Sequence, residues 1–174
     1  WVSSLALQAQ TRLVVAADGS GDFRSIQAAI NSLPFESTSW REIFVKNGQY
    51  PEKIFIDKNK IRLSGESVAG VVISISLPRD CWRCEHPDDW GAATLNIRGQ
   101  DITLQNLSVI NTYGFTAKGD STINCPNEGN KPKVVRKDGH QFALRTMPGC
   151  TRLSVIGCVF RAFGGDTVSP WDVD

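Results

Sequence analysis

Ile102-Thr103-Leu104-Gln105-Asn106 is the stretch on which the reading of this chain turns, because it has two partial copies. Ile61-Arg62-Leu63-Ser64-Gly65 lies 41 residues before it (102 − 61), and Leu153-Ser154-Val155-Ile156-Gly157 lies 51 after it (153 − 102). In each copy aliphatic residues hold the first and third positions, the two-residue period of a strand with one face turned inward. Self-similarity at such intervals marks a solenoid, and these offsets fit two coils each of about 20 to 25 residues. The Gly or Asn at the fifth position suits a bend or an internal side-chain ladder, with a plain loop as the alternative.

Outward from this echo the texture stays the same. Short β-prone runs cover Leu13 to Ala17, Ile43 to Val45, Lys53 to Ile56 and Val71 to Ile75, then Ala93 to Ile97, Ile102 to Ile110, Gln141 to Leu144 and Leu153 to Phe160. Gly, Asn and Asp separate them, as turns require. One segment differs. Phe23, Ile26, Ile30 and Leu33 recur at helical spacing, with Asp22 as N-cap and Pro34 as stop, which predicts a single helix. Asp18-Gly-Ser-Gly-Asp22 before it reads as a turn, since the lysine and glycine spacing of a phosphate loop are missing. One short helix followed by many short strands predicts an all-β fold, a right-handed parallel β-helix, rather than a sandwich. The helix then covers the strand edges at the N-terminal end of the stack.

The chain has 174 residues, enough for one domain with a core. Its 19 basic and 18 acidic residues leave a net charge of +1, which argues against nucleic acid or an acidic membrane as partner. No apolar run reaches bilayer-spanning length. Residues 1–10, Trp1 to Gln10, read as the remnant of a secretory signal, with an ordinary first strand as the alternative. That places the protein outside the cytoplasm, extracellular or periplasmic. Residues 11–174 then form the N-terminal portion of a single β-helix domain, since Asp172-Val173-Asp174 breaks off without a turn or cap.

Five cysteines cannot all pair within one chain. Cys81, Cys84 and His86 lie close together, and Cys125 could join them, but a structural zinc site usually shows two paired knuckles and there is one here. A local disulfide or free loop thiols is the preferred reading, and no metal or other cofactor is expected. Cys150 and Cys158 fall in or beside apolar runs, where a buried, inert thiol is the default. Two Gly/Pro-rich stretches, Pro78 to Gly91 and Tyr113 to Lys137, read as insertions that wall a groove. Trp82, Trp90, Tyr113 and Phe115 in or near them either stack on sugar rings or pack the insertions onto the coil.

The catalytic inventory is short. There is no G-x-S-x-G elbow, no H-E-x-x-H, and only two histidines. His140 reads as a buried, hydrogen-bonded side chain rather than a base. Asn106-Leu-Ser108 is a glycosylation triplet in mid-strand and is discounted. What remains is carboxylate chemistry, for which two acids with separated pKa values are needed. Lys137 to Trp171 supplies the clearest candidates: Gln141 opening one strand run and Asp166 closing the next, with Trp171 beyond.

Taken together, the blocks resemble those of the pectinesterases. Val15 to Ile30, Ile43-Phe-Val-Lys-Asn-Gly-Gln-Tyr-Pro-Glu-Lys-Ile54, Ile61 to Glu66, Ile102 to Thr112, Gly139-His-Gln-Phe-Ala-Leu144 and Asp166-Thr167 are similar to that family's motifs, in the family's order. The resemblance implies a right-handed parallel β-helix that hydrolyses galacturonate methyl esters of pectin to methanol and carboxylate. By motif position, Asp166 is the general acid/base and Gln141 an oxyanion donor. Tyr113, Phe115 and Trp171 would bind substrate, and homogalacturonan would be the partner of a monomeric enzyme. An uncharged amide can donate to a developing oxyanion without drawing substrate carboxylates to the wrong place.

Two departures stand out. Gly165 stands where the family has glutamine, and losing one oxyanion donor costs on the order of 2.7 to 4 kcal/mol of transition-state stabilisation. The block carrying the nucleophilic aspartate and its orienting arginine is expected a coil or more beyond Asp166, so the fragment by itself is expected to be inactive. The competing reading is a non-catalytic polysaccharide-binding β-helix. A pectate-lyase-like enzyme would need a calcium site of clustered acids, and Asp88-Asp89 is the one adjacent acidic pair within the chain's loops.

Overall fold

A computed structural model of the chain describes residues 12–171. The signal-remnant reading of residues 1–10, and Asp172 and Asp174, lie outside them. Strand β1 (Arg12–Val15) leads into helix α1 (Ile26–Ser32). Four coils follow. The first is β2 (Arg41–Val45), β3 (Gly48–Tyr50) and β4 (Ile54–Ile56); the second is β5 (Ile61–Gly65), β6 (Val71–Ile75) and, after helix α2 (Arg79–Glu85), β7 (Ala93–Ile97). The third coil is β8 (Gln100–Gln105), β9 (Ser108–Asn111) and β12 (Phe142–Thr146), interrupted by helix α3 (Tyr113–Thr116) and a hairpin of β10 (Ser121–Cys125) and β11 (Lys131–Val135). A 3₁₀ turn, Pro126–Glu128, joins the hairpin strands. The fourth is β13 (Thr151–Ile156), β14 (Val159–Arg161) and β15 (Val168–Ser169).

Like strands stack on like. The three parallel sheets run β1-β2-β5-β8-β13, β3-β6-β9-β14 and β4-β7-β12-β15. The sequence echo is the register itself: Ile61 pairs Ile102 and Ile102 pairs Leu153, while Leu63, Leu104 and Val155 form the next row. Each offset is therefore one coil lengthened by an insertion, a correction to the two-coil reading. Ile43, Ile54, Ile56, Ile61, Leu63, Ile73, Leu95, Ile97, Ile102 and Leu104 are fully buried between the sheets. The fifth echo position is a bend in the two later copies, where Asn106 has φ +53° and Gly157 φ +58°, whereas Gly65 still belongs to β5. That bend splits the expected Ile102–Ile110 strand into β8 and β9. A side chain at Gly157 would meet Asn106 Oδ1 at 2.8 Å, so glycine there lets the two bends stack without displacing the Asn106 amide.

Helix α1 closes the N-terminal end by polar contacts as well as by its buried Ile26, Ala29 and Ile30. Glu52 accepts hydrogen bonds from Ile26 N (2.8 Å), Gln27 N (3.1 Å) and the Ser25 hydroxyl (2.6 Å), placing a carboxylate at the positive end of the helix. At the other end Lys58 donates to the carbonyls of Ile30, Asn31 and Leu33. The Gln27 amide pairs with both the N–H and the C=O of Phe55, covering the free edge of β4. The N-cap is Ser25, because the carboxylate of Asp22 accepts instead from Val14 N at 2.8 Å and Phe23 bridges Val15.

Three further expectations are corrected. Helix α1 is not alone: α2 and α3 lie in the insertions, where no apolar stripe announces them. The Tyr113–Lys137 stretch is partly a β-hairpin, its turn carried by Gly129 and Asn130 at positive φ. Strand β3 was also unforeseen. The cysteine question resolves as a buried Cys84–Cys125 disulfide that ties α2 to the hairpin and removes two of the four zinc-ligand candidates. Cys81, Cys150 and Cys158 are free thiols, of which Cys150 is buried and Cys158 only partly so.

Candidate functional site

The third sheet carries the site because the largest insertion of the second coil folds against it. Along β12, Phe142 and Arg145 project outward beside α2, and β15 continues the ladder with Leu144 opposite Val168 and Arg145 opposite Ser169. Asp166 and Trp171 flank β15. A cleft of about 400 Å³ opens here, lined by Arg79, Arg83 and Asp89 from the insertion and by His140, Phe142, Arg145, Asp166 and Trp171. Trp171 is 58% exposed, with the Arg145 guanidinium carbon 5.5 Å from its ring centre. Its backbone N–H donates to Thr146 Oγ1 at 3.0 Å, which holds the ring at the rim.

Asp89 is the electrostatic centre of the floor. It is 5% exposed and receives three guanidiniums: Arg145 Nη2 at 2.8 Å, Arg79 Nε at 2.9 and 3.0 Å, and Arg83 Nη1 at 3.5 Å. Arg145 is itself buried and donates through Nη1 to Ser169 Oγ at 2.8 Å. Burial pushes its guanidinium below the ordinary range, and the Asp89 charge opposes that shift.

Gly164 and Gly165 set where Asp166 sits. A Cβ on Gly164 would overlap the backbone of Asp138, and one on Gly165 the Cα of His140; Gly165 also has φ +57°. The chain thus passes directly against the backbone of residues 138–140. It leaves Asp166 exposed in the cleft, Oδ2 3.6 Å from His140 Nδ1. His140 is exposed rather than buried as expected, because Gly165 packs on its main chain and leaves the ring in solvent.

Gln141 lies next to this ladder but faces the other way. It is fully buried and is absent from the cleft wall. Its Oε1 accepts from Gly114 N at 2.9 Å, and Nε2 donates to the carbonyls of Lys137 and Gly139. Both amide protons are committed to the protein. Tyr113 and Phe115 also stay outside the cleft. Phe115 packs edge-on against Phe163 at 5.8 Å, beneath the Arg161 guanidinium. Of the five residues singled out in the sequence, the structure brings together Asp166 and Trp171. Sequence reasoning missed Arg79, Arg83, Asp89 and Arg145, and the one available signal was the density of charge in Arg79-Asp-Cys-Trp-Arg83.

Trp82 and Trp90 pack rather than wait for sugar. Trp82 is stacked by His86 at 3.4 Å and carries the Lys53 amine 3.6 Å from its ring centre, and Trp90 meets Phe55 edge-on at 5.1 Å. Among the described residues no group of three or more His, Cys, Asp or Glu side chains is placed to hold a metal ion, and no helix is long and apolar enough to cross a membrane.

With this geometry in place, comparison with known proteins is informative. A profile of the Pectinesterase family matches residues 12–144. Pectinesterase A of Dickeya dadantii (strain 3937) is 34% identical over 125 residues, covering 67% of this chain and 34% of that protein. A crystal structure of a pectin methylesterase in complex with a hexasaccharide superposes with a TM-score of 0.68 at 27% identity, over 91% of this chain and 45% of that one. The pectin methylesterase from carrot superposes with a TM-score of 0.65 at 21% identity, over 93% of this chain and 42% of that one. These neighbours share the right-handed parallel β-helix. The chain spans about a third of the length of the bacterial relatives it matches.

Proposed function

The chain belongs to the pectinesterase family, and from that premise we propose that it is the N-terminal part of a secreted esterase that hydrolyses methyl esters of galacturonan. The observation that carries this reading is the cleft over β12 and β15, lined by both an exposed carboxylate, Asp166, and an exposed indole, Trp171. An aromatic face offers a platform for a pyranose ring, and the carboxyl group offers a proton.

In this mechanism a second aspartate, from a coil stacked on β13, β14 and β15, attacks the ester carbonyl. Asp166 protonates the departing methoxy oxygen, methanol leaves, and an acyl-enzyme remains. Asp166 then takes a proton from water as the water attacks, releasing a free galacturonate carboxylate and the nucleophile. Gln141 reaches the oxyanion only after its amide releases Lys137 and Gly139. The buried Cys84–Cys125 disulfide supports an oxidising compartment, in keeping with secretion.

The same geometry favours one other reading, a polysaccharide-binding β-helix without catalysis. Gly165 leaves no room for the glutamine that the family has there, and Gln141 is occupied. Methanol release from methylated pectin by the protein of the complete reading frame separates the two. The esterase reading expects release that Asp166→Ala abolishes. Binding without methanol release overturns it in favour of the binder, and release that Asp166→Ala leaves unchanged overturns the assignment of this cleft as the active site.

A further inference from the structure

The cysteines carry chemistry that the cleft leaves unused. Cys84 and Cys125 form the buried bridge between α2 and the β10–β11 hairpin. Cys81 is a partly exposed free thiol three residues before Cys84 on the same helix. Cys150 belongs to the coil core and Cys158 packs against it, so Cys81 is the free thiol that the insertion carries. Side chains three apart on a helix share a face, about 5–6 Å apart at Cβ. A disulfide needs about 3.5–4.5 Å, so tightening one turn by roughly 1–2 Å brings Cys81 and Cys84 within bonding geometry. The start of α2 is already tightened in this sense, since Cys81 N donates to Pro78 O, three residues back, at 3.1 Å. Among the described residues the polar contacts that join α2 to the hairpin are weak. Lys133 lies 3.7 Å from Asp80 but 2.6 Å from Glu128 within the hairpin, and the exposed Asn127 Nδ2 donates to Arg83 O at 3.2 Å.

We propose that these three cysteines form a disulfide switch, in which Cys81 displaces Cys125 from Cys84 and releases the hairpin from α2. The Cys81 thiolate attacks Cys84 Sγ, a Cys81–Cys84 bond forms as the Cys84–Cys125 bond breaks, and Cys125 leaves as a thiolate. The proton given up by Cys81 ends on Cys125, so one disulfide replaces another and neither oxidant nor reductant is consumed. A bond spanning 41 residues is thereby exchanged for one inside a single helical turn. The released hairpin is a two-stranded ribbon, marginal on its own, and only the polar contacts above still hold it to α2. Burial, together with the carboxylates of Asp80 and Glu85, pushes the Cys81 thiol above its ordinary range. The thiolate is the nucleophile, so this shift keeps the exchange slow in the resting protein. The switch acts on the insertion and is independent of the galacturonan reading.

The test is a disulfide map of the folded full-length protein, held without reductant at about pH 8.5, where thiol exchange proceeds, then quenched in acid and alkylated with N-ethylmaleimide. The switch predicts peptides linked through Cys81 and Cys84, with the maleimide on Cys125, in about 0.1–10% of molecules, the share of an ordinary minor state. Cys81→Ser, at a partly exposed position, abolishes the label on Cys125. The same variant loses that opening route and exchanges its amide hydrogens in residues 121–135 more slowly than the wild type. No maleimide on Cys125 in the wild type, or an equal amount in Cys81→Ser, overturns the switch. So does a Cys81–Cys125 bond in place of Cys81–Cys84. Unchanged hydrogen exchange in Cys81→Ser overturns the release of the hairpin.

Discussion

Replacing Asp89 by asparagine tests the electrostatic floor of the cleft. The carboxylate is 5% exposed, its Arg145 partner 6%, and their contact is 2.8 Å. Removing one member of a buried pair leaves the other charged and unsolvated, at a cost of about 3–5 kcal/mol. Arg79 and Arg83 are about a third exposed, so water compensates most of their loss and they add at most about 1 kcal/mol each. For a chain of this size, about 2–4 °C of melting temperature is lost per kcal/mol. Asp89→Asn should therefore lower the melting temperature by roughly 6–28 °C, read by circular dichroism of the β signal. Asp88→Asn is the control: that residue is exposed, and the amide oxygen can still accept from Trp90 N, so the shift should stay within about 2 °C. Adding Arg145→Leu to Asp89→Asn should recover part of the loss, because the stranded charge goes with it. If Asp89→Asn melts with the wild type, Asp89 is not neutralising buried charge and the account of the cleft floor is wrong.

Three further outcomes are expected. Gly165→Ala forces a side chain into φ +57° and into the backbone of His140, at a cost of about 1–3 kcal/mol, visible as an earlier chemical-denaturation midpoint. Reducing the Cys84–Cys125 bridge, which spans 41 residues, should cost about 2–4 kcal/mol by freeing the unfolded chain, and Cys84→Ser should reproduce that shift without reductant. Burial lowers the Lys53 amine from its usual 10.5 to about 8. The unfolded chain therefore holds more protons between those values, and Lys53 should make stability rise as pH climbs from about 8 to 10.5. The difference between wild type and Lys53→Met, followed across that window, isolates the effect; a flat difference refutes it.

The coil was legible because the same two-residue alternation that buries Ile61 also buries Ile102 and half-buries Leu153, and a parallel register sets such residues in line. Helix α2 was not legible, for a physical reason. Its seven residues bury only Cys84, so no apolar stripe exists, and its anchors are a disulfide partner 41 residues away and a salt-bridge centre outside the helix. The glycine pair 164–165 reads as a turn in any sequence, whereas its contact with the backbone of residues 138–140 depends on the ladder between β12 and β15. Gln141 shows how far a motif reaches: its place on the strand followed from the neighbouring residues, but the direction of its amide is set by Gly114 on α3.

Hydrogen–deuterium exchange with and without a partly methylated hexagalacturonide puts the proposed sugar-facing ladder under the most direct test. The account predicts slowed exchange in 142–146 and 166–171, together with the α2 segment 79–89. Protection confined to the Phe115–Phe163 side, or none anywhere in the stack, would contradict it.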